Sequence, residues 1–598
     1  MVKQLFREIR TGRRALEGIP EVELLNDWIW FEEQKVWGLH LALRPKLTPT
    51  EFIPASTVWF LTVTDRYPDG DVKLYPAKHG GITATFQHQS LNEEGSPSSL
   101  WRTGDLCLAT NFKQLGHQGY DVEPRSANER ILWNIQRALE WLSEGSQGSV
   151  AALEEPFELP QIKQRSGLIA FQENAARLED WNSCSEQFGL VRLSPFNPDL
   201  GYWHTVTFLT SAEKVLIENG WGSSLAPATK SDSIGIWIRV PQIPVVRPWR
   251  FPATFGELRD ALKAQNIDFD SCCKCAAGLK LRDGKEHFCL IGFPIPERIG
   301  QSFRSMFWQA FKLPALASAH SKGGFGNNPN SLWAKDRETV LKSSSPITWV
   351  PTENWDECQI RTRGCLPTEL TARMTVVFGA GAIGSVLAEL LVRGGVQNLL
   401  VVDADCLKVG NLSRHTLTMS DLGKNKALAV VARLNLASPH AKVVGIDSSV
   451  QELDEKELGQ ILDAEIVWDC TANNEVLSTL EQLPWKKSPV IHSASVSFGA
   501  KRLFLYSQRA PISSSKFAEC LQPWLDKDLE ERGDEALPRE GTGCYHPVFP
   551  ASAVDLDLMV AVALKAVTEQ PRVGADGDFQ VFEREIKDDV FVGVRKVG

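Results

Sequence analysis

The spacing of apolar positions divides the chain into three regions, of which the first covers 1–150. A charged helix is predicted up to about Leu25, and a second helix over 127–143 carries Ile131 and Ile135 on one face at helical spacing. Between them the pattern predicts strands at 28–43, 57–64 and 71–75. A Gly/Ser-rich break follows at 144–149. This pattern predicts a small α+β domain.

The second region, 160–355, has no recognisable catalytic motif. Short strand and helix patterns are separated by prolines, and the Gly/Asn/Ser-rich stretch 318–331 predicts a long loop. We expect a mixed α/β linker domain here.

The third region, 372–598, shows a regular alternation of strand and helix patterns. Strands are predicted at 375–378, 398–403, 442–446 and 466–469, and helices at 385–393 and 424–436. Strands separated by helices favour a parallel, doubly wound sheet with Rossmann-like topology. The fold class predicted for the whole chain is therefore multidomain α/β.

Composition and charge exclude several classes of protein. The 598 residues carry 64 Lys+Arg against 74 Asp+Glu, a net charge of −10, which does not suit a direct nucleic-acid binder. No secretory signal and no uncharged apolar run of about 18 residues is visible, so we expect a cytoplasmic protein that does not span a membrane. The 12 cysteines are too sparse for a disulfide scaffold, so each is core filler, a metal ligand or a nucleophile.

A glycine loop opens the third region. Gly379, Gly381 and Gly384 follow a predicted strand and begin a helix, where phosphate oxygens can approach the helix N-terminus closely. Asp403 ends the next strand, where a carboxylate can bind ribose hydroxyls. These residues alone fit an NAD-dependent dehydrogenase as well as other nucleotide enzymes.

The next residues favour an enzyme that cleaves ATP. Arg414 and Lys426 follow within a short stretch of chain. A dehydrogenase needs no such pair of cations beside its pyrophosphate, whereas cleavage between the α and β phosphates develops charge on both halves of the nucleotide. We therefore predict adenylation chemistry with Arg414 and Lys426 as catalytic cations.

In these motifs the chain resembles the ThiF/MoeB and ubiquitin-activating superfamily: a glycine loop, Asp403-x-Asp405, Asn411-Leu-x-Arg414 and Asp421-x-Gly-x-x-Lys426. The resemblance implies that Asp405 binds the ribose and that Asn411, Arg414 and Lys426 bind phosphates.

The chain departs from the superfamily pattern in three places. Ala382 replaces a usual Gly, and His415 stands where Gln is frequent. Ala472 stands where the family has a magnesium-site Asp, so Asp469 is predicted as an ATP-site residue and Mg²⁺ ligand, with Asn473 as the alternative.

Cys544 is the first candidate nucleophile. It lies in the Gly-flanked stretch Gly541-Thr-Gly-Cys-Tyr-His-Pro, ahead of a predicted helix at 552–568 and two residues from His546. A helix N-terminus and a nearby His can lower a thiol pKa and favour the thiolate. The alternative is a structural Cys in a tight turn.

Cys107 is the second candidate nucleophile. The stretch Gly104-Asp-Leu-Cys-Leu108 resembles the active-site strand of ubiquitin-conjugating enzymes. The His-Pro-Asn triplet of those enzymes is missing, and Asn92 and Asn111 are the candidates for stabilising an oxyanion. The alternative is a buried Cys between two leucines.

The order of these parts resembles the fused conjugating and activating enzymes of bacterial CBASS antiphage operons. The resemblance implies use of ATP and Mg²⁺, activation of a protein's C-terminal carboxylate, thioesters on Cys544 and then Cys107, and conjugation to target amines. It also implies a homodimer and a cGAS/DncV-like nucleotidyltransferase as the activated protein, with a dedicated ubiquitin-like protein as the alternative. Other readings are an activator that stops at the acyl-adenylate and a non-catalytic scaffold that binds a ubiquitin fold.

One cysteine cluster falls outside this scheme. Cys272, Cys275, His287 and Cys289 have the residue types of a zinc site, but the His-x-Cys spacing is tight for tetrahedral coordination, so zinc is not expected.

Overall fold

The computed structural model describes most of the chain, with several short gaps. The described residues are 6–108, 123–148, 150, 153–163, 166–225, 233–318, 329–533, 537, 539–540, 546–547, 550–569 and 576–598. They form two compact units, of which the first comprises Met1–Asn219 and Thr229–Asn354. The second comprises Gly220–Ala228 and Trp355–Gly598.

The N-terminal part of the first unit is a β-meander flanked by two helices. Its elements are α1 (Arg7–Arg14), β1 (Val22–Leu24), β2 (Ile29–Phe31), β3 (Val36–Leu43), β4 (Thr57–Val63), β5 (Val72–Pro76) and α2 (Ala127–Gln147). The sheet order is β1-β3-β4-β5, with β2 paired to β3. Ile131, Ile135 and Ala138 of α2 are fully buried with the sheet residues Trp59 and Leu61, so the helical spacing correctly identified the buried face.

Two sequence expectations for this part are wrong in detail. The first helix ends at Arg14, well before Leu25, because the chain turns at Gly18 (φ +89°) and then enters β1. The strand predicted at 28–43 is a hairpin in which Phe31 pairs with Val36, with Lys35 left-handed at φ 55°.

The middle part of the first unit is built on a nine-stranded mixed sheet. Its elements are β6 (Leu168–Phe171), α3 (Ala175–Ser183), β7 (Phe188–Asn197), β8 (Tyr202–Leu209), β9 (Val215–Glu218), β10 (Ser233–Arg239), α4 (Phe255–Lys263), α5 (Phe269–Ala277), β11 (His287–Pro296), β12 (Phe303–Leu313), α6 (Pro329–Glu338), β13 (Thr348–Val350) and β14 (Thr352–Asn354). β11 and β12 run for 10 and 11 residues, longer than the short strands expected from the prolines. Trp181 and Trp308 are fully buried, and both indole N–H groups donate to Glu173 at 2.8 Å.

The second unit contains the doubly wound sheet that the sequence predicted. Its elements are α7 (Glu357–Ile360), α8 (Thr368–Thr371), β15 (Thr375–Phe378), α9 (Ala382–Arg393), β16 (Asn398–Val402), α10 (Lys426–Asn435), β17 (Lys442–Ile446), α11 (Glu455–Ile461), β18 (Ile466–Asp469), α12 (Asn474–Gln482), β19 (Val490–Val496), β20 (Arg502–Arg509), α13 (Ser514–Arg532), β21 (Arg539–Glu540), β22 (His546–Pro547), α14 (Ala553–Glu569), β23 (Asp578–Lys587) and β24 (Val590–Lys596). The sheet order is β17-β16-β15-β18-β19-β20-β23-β24, with parallel pairing from β17 to β19.

The strand order places a crevice at the carboxyl ends of β15, β16 and β18. β15 lies between β16 and β18, so the chain leaves β15 towards one side and returns on the other. Such a reversal of strand order is where open α/β sheets bind ligands.

Within the described ranges, no helix is both long enough and apolar enough to cross a membrane.

Candidate active site

Each of the three glycines after β15 has its own structural reason. Gly379 has φ +85°, which allows the tight turn out of the strand. A Cβ on Gly384 would lie 1.8 Å from the carbonyl oxygen of Gly379, so only glycine lets α9 pack this closely on the loop. A Cβ on Gly381 would meet nothing within 4 Å, which leaves its backbone open to a ligand. The N-terminus of α9 thus has the open backbone that an anion-binding site requires.

The two aspartates after β16 have different environments. Asp403 accepts hydrogen bonds from the Ala380 N–H at 2.7 Å and the Asp405 N–H at 2.8 Å, so its carboxylate fastens the glycine loop to its own turn. The Asp405 side chain is 75% exposed. Asp405 is therefore the carboxylate more available to a ribose hydroxyl.

Lys426 is held at the first position of α10. Asn425 caps that helix by accepting from the Leu428 N–H, and the Lys426 N–H donates to the Asp405 carbonyl at 2.8 Å. The Lys426 ammonium lies 2.8 Å from an Asp405 oxygen, although its side chain is only 10% exposed. The ammonium is thus fixed by a partner that a phosphate could replace.

Arg414 ends a short helical turn that is tied to the glycine loop. The turn, Val409–Arg414, is capped by the Asn411 amide oxygen, which accepts from the Lys408 N–H at 2.9 Å. The next residue, His415, accepts from the Leu417 N–H at its Nδ1, so its Nε2 carries the proton and donates to the Ala380 carbonyl at 2.7 Å. Burial lowers the pKa of His415, which favours this neutral form.

His415 thus has a structural role, whereas the sequence had marked it only as a departure from the family pattern. It joins the Arg414 turn to the loop that begins α9.

These elements surround a cavity at the crevice. Its lining residues are Phe378, Gly379, Gly381, Val402, Asp403, Ala404, Asp405, Lys426, Ser448, Ser449, Val450, Cys470, Thr471, Asn473 and Val476. Five predicted ATP-site residues are therefore brought together: Gly379, Gly381, Asp403, Asp405 and Lys426. Four others, all described by the structure, do not line the cavity: Gly384, Asn411, Arg414 and Asp469. The serines at 448 and 449 come from the end of β17, and no sequence motif had identified them.

Asp469 is directed into the protein interior. It is 2% exposed, and its oxygens accept from the Thr471 N–H and hydroxyl and, at 2.8 Å, from the Ser493 hydroxyl. Burial raises its pKa above the ordinary Asp value. Its predicted roles in ATP and Mg²⁺ binding stay predictions, and this geometry does not favour them.

The cavity nevertheless fits a magnesium ion bound mainly by phosphates. Mg²⁺ typically takes one or two protein carboxylates, with substrate phosphates and water completing its octahedron. Asp405 is the exposed carboxylate of the cavity and can supply such a ligand.

Cys107 is exposed, whereas its neighbours Leu106 and Leu108 are buried. The alternative of a buried core cysteine is therefore wrong. Its N–H donates to the His88 carbonyl at 2.8 Å, within a short antiparallel pairing of Gln89 with Leu106. The chain thus presents the thiol outwards from an anchored backbone.

Asn92 cannot serve Cys107 as the sequence had suggested. Its amide nitrogen donates to the Ile82 and Ala84 carbonyls, and its oxygen accepts from Arg102. The other oxyanion candidate, Asn111, lies outside the described residues.

The residues considered for zinc do not converge. Cys272 and Cys289 are buried in the apolar core, Cys275 is exposed, and the His287 ring bonds the Ile234 carbonyl and Asp283. Over the described ranges, no group of three or more His, Cys, Asp or Glu side chains could hold a metal ion.

Two protein families match separate parts of the chain. Residues 148–355 match the Cap2 central linker domain, and residues 367–564 match the ThiF family. The ATP-dependent ubiquitin transferase-like protein Cap2 of Enterobacter hormaechei is 29% identical over 98% of this chain and 98% of its own length. The chain is similar to Cap2 over nearly its whole length.

Other relatives match only part of this chain. A second Cap2, from Pseudomonas aeruginosa, is 34% identical over 16% of this chain and 18% of its own. The sulfur carrier protein ThiS adenylyltransferase of Bacillus subtilis is 34% identical over 22% of this chain and 40% of its own. The solved structure of E. coli MccB with ATP covers 38% of this chain and 64% of its own at 14% identity and a TM-score of 0.27.

The similarity to Cap2 and the ThiF match make the chain an ATP-dependent enzyme of the ubiquitin-like activating and conjugating class. The ThiF match spans the glycine loop, Lys426 and the segment that contains Cys544. Cys544 itself lies outside the described residues. The residues on either side of it, Arg539–Glu540 and His546–Pro547, pair as a short antiparallel ribbon.

Proposed function

We propose that the chain uses ATP to activate the C-terminal carboxylate of a partner protein and conjugates that protein to an amine. The carboxylate oxygen attacks the α-phosphorus, the bond to the β-phosphate breaks, and pyrophosphate leaves. The acyl-adenylate then passes its acyl group to Cys544 and from there to Cys107, with AMP and the Cys544 thiolate leaving in turn. A target amine, in our proposal a lysine, takes the acyl group last.

The position of Lys426 carries this proposal. Its ammonium lines the same cavity as the open backbone of Gly381 and is held by one exposed carboxylate. A fixed cation beside an anion-binding helix N-terminus stabilises the charge that develops when pyrophosphate leaves. In this proposal Arg414, on the turn tied to the glycine loop by His415, adds the second cation.

We propose a cGAS/DncV-like nucleotidyltransferase of an antiphage operon as the activated protein. A dedicated ubiquitin-like protein is the alternative with the same chemistry. The proposal includes a cytoplasmic homodimer, as the resemblance to the CBASS enzymes implies.

The adenylation step is tested by ATP–pyrophosphate exchange with a cGAS/DncV-like nucleotidyltransferase as the partner protein. Arg414→Ala should slow exchange by about 3 kcal/mol of lost transition-state stabilisation, typical of a preorganised charge contact. Arg393→Ala is the matched control because Arg393 pairs with Glu389 on the surface of α9. Unchanged exchange in Arg414→Ala would remove Arg414 from the mechanism, and NAD reduction by the wild type would restore the dehydrogenase reading.

The order of the two cysteines is tested on non-reducing gels. With ATP and partner, Cys107→Ala should retain a thiol-sensitive adduct on Cys544, whereas Cys544→Ala should form the adenylate and no adduct. Mixing the two variants restores conjugation if the proposed dimer transfers between protomers. Normal loading of Cys107 in Cys544→Ala would refute the relay. Exchange without any wild-type adduct would show an activator that stops at the acyl-adenylate.

A further inference from the structure

One residue beside Cys107, His88, is half-buried and held by several contacts. His88 is left-handed, with φ 53°, a conformation that costs a non-glycine residue about 1 kcal/mol or more. Such strain persists only where surrounding contacts impose it, and it is concentrated at functional positions.

The contacts on His88 come from two sides. Its carbonyl accepts the Cys107 N–H at 2.8 Å. Its own N–H donates to a Glu158 oxygen at 2.9 Å, its Nε2 lies 3.2 Å from Glu155, and its Nδ1 lies 3.4 Å from Glu158. Backbone and ring are therefore both fixed by carboxylates from the segment 153–163, which leads into the linker part of the same unit.

The direction of the Cys107 side chain depends on this arrangement. The Ser90 N–H donates to the Asp105 carbonyl at 2.9 Å, so residues 88–90 and 105–107 run as a short antiparallel pair. His88 makes the last bond of this pair, at the residue that carries the thiol. A shift of His88 would turn Cys107 while leaving the buried Leu106 in place.

Two other polar side chains of this stretch, those of Gln89 and Asn92, already bond within the N-terminal part. Gln89 donates to the Gly104 carbonyl and accepts from the Phe86 N–H, and Asn92 is satisfied as described. Of His88, Gln89 and Asn92, His88 is the residue whose side chain contacts the linker segment.

We propose that His88, clamped by Glu155 and Glu158, is a positioning residue that sets the orientation of Cys107 for acyl transfer. The clamp makes the linker segment part of the Cys107 site although it contributes no reacting atom. The inference rests on the proposed function for its kinetic consequence and on the structure alone for the backbone anchoring.

The first arm of the test measures the anchoring without any partner protein. In the full chain, Glu155→Gln/Glu158→Gln should increase amide hydrogen exchange of the peptide that contains Cys107, because its N–H loses a fixed acceptor. Glu154→Gln is the matched control: it removes a carboxylate from the same segment, where Glu154 bonds Gln301 at 2.9 Å and not His88. Equal exchange in the double variant and wild type would overturn the clamp.

The second arm measures transfer in a single turnover, with Cys544 thioester as the starting species and ATP–pyrophosphate exchange as the reference. The double variant should move the acyl group to Cys107 about tenfold more slowly, with adduct accumulating on Cys544, as expected when a nucleophile is misoriented. His88→Gly, which tolerates the left-handed backbone but has no ring, should behave the same way. Wild-type transfer rates in both variants, or equal slowing in Glu154→Gln, would overturn the proposal.

The two arms separate the two hypotheses. A wild-type protein that forms no ATP-dependent adduct would refute the proposed relay. The amide hydrogen exchange of the Cys107 peptide would then decide by itself whether Glu155 and Glu158 anchor His88.

Discussion

Replacing Lys426 with methionine should separate activity from stability. Methionine keeps the length and the apolar stem of the side chain and removes only the ammonium. The partner carboxylate, Asp405, is 75% exposed, so it regains water when the ammonium is lost. An ion pair of this kind contributes about 0–1 kcal/mol to folding. We therefore expect a thermal unfolding midpoint close to that of the wild type.

The same substitution should cost far more in catalysis. Lys426 lines the nucleotide cavity and is the cation fixed at the first turn of α10. Loss of one preorganised charge contact raises a barrier by about 3 kcal/mol, which corresponds to a rate about 150-fold lower. The assay is ATP–pyrophosphate exchange at saturating ATP and partner, with a thermal melt of the same preparation.

Lys424→Met provides the control for Lys426→Met. Lys424 is 58% exposed, pairs with Asp421 at 2.9 Å and does not line the cavity. Its loss should change neither exchange nor melting. Exchange in Lys426→Met within about threefold of wild type would refute the electrostatic argument, because that corresponds to well under 1 kcal/mol. A large drop in melting temperature would instead show that Lys426 is structural.

Three further predictions concern packing and charge in the second unit. Arg502 is fully buried and pairs with Asp528, Glu531 and Glu583. Arg502→Met leaves these carboxylates without their cation, so it should destabilise this region by about 3 kcal/mol. We expect faster amide hydrogen exchange in α13 (Ser514–Arg532), and unchanged hydrogen exchange would contradict the prediction. Hydrogen bonding from Arg502 lowers the pKa of Glu531 to about 2. The stability that ionised Glu531 adds is therefore complete above the ordinary Glu pKa near 4.5 and is lost as pH falls through about 2. The difference in unfolding free energy between wild type and Glu531→Gln should shrink as pH falls through this window, and a difference that does not depend on pH would refute the linkage. Gly384→Ala should impair both folding and ATP–pyrophosphate exchange because the new Cβ would lie 1.8 Å from the Gly379 carbonyl oxygen. Gly381→Ala should fold normally and raise the KM for ATP because a Cβ there meets nothing within 4 Å. A lower melting temperature for Gly381→Ala than for Gly384→Ala would contradict this account of the glycine loop.

The doubly wound sheet could be predicted because its strands are buried on both faces. β15, β16 and β18 contain continuous apolar runs of three or four residues, each followed by a glycine or an aspartate. Such runs leave little ambiguity when helical patterns separate them. Gly379 and Asp403 could be predicted as candidate nucleotide residues because they directly follow β15 and β16.

Other features depend on contacts that no local pattern records. The turn between β2 and β3 contains no Gly, Pro or Asn, and Lys35 adopts the left-handed conformation there instead, so the hairpin could not be recognised. Asp469 ends its strand as a ligand would, yet Ser493 of the adjacent strand draws its carboxylate inwards. His88 meets Glu155 and Glu158 across separations of 67 and 70 residues.

The path of the chain between the two units limits how the protein can be divided. Gly220–Ala228 belongs to the second unit although residues on both sides of it belong to the first. Within the second unit the Gly222 N–H donates to the Pro439 carbonyl at 2.7 Å, and Trp221 stacks on His440 with ring centres 6.0 Å apart. The backbone therefore passes from one unit to the other at three points. After a single protease cut near Asn354, Trp221 and Gly222 would stay covalently attached to the N-terminal fragment, although they contact Pro439 and His440 of the C-terminal fragment. Homologous recombination between relatives faces the same restriction, because a single crossover there would pair Trp221 with a foreign counterpart of His440.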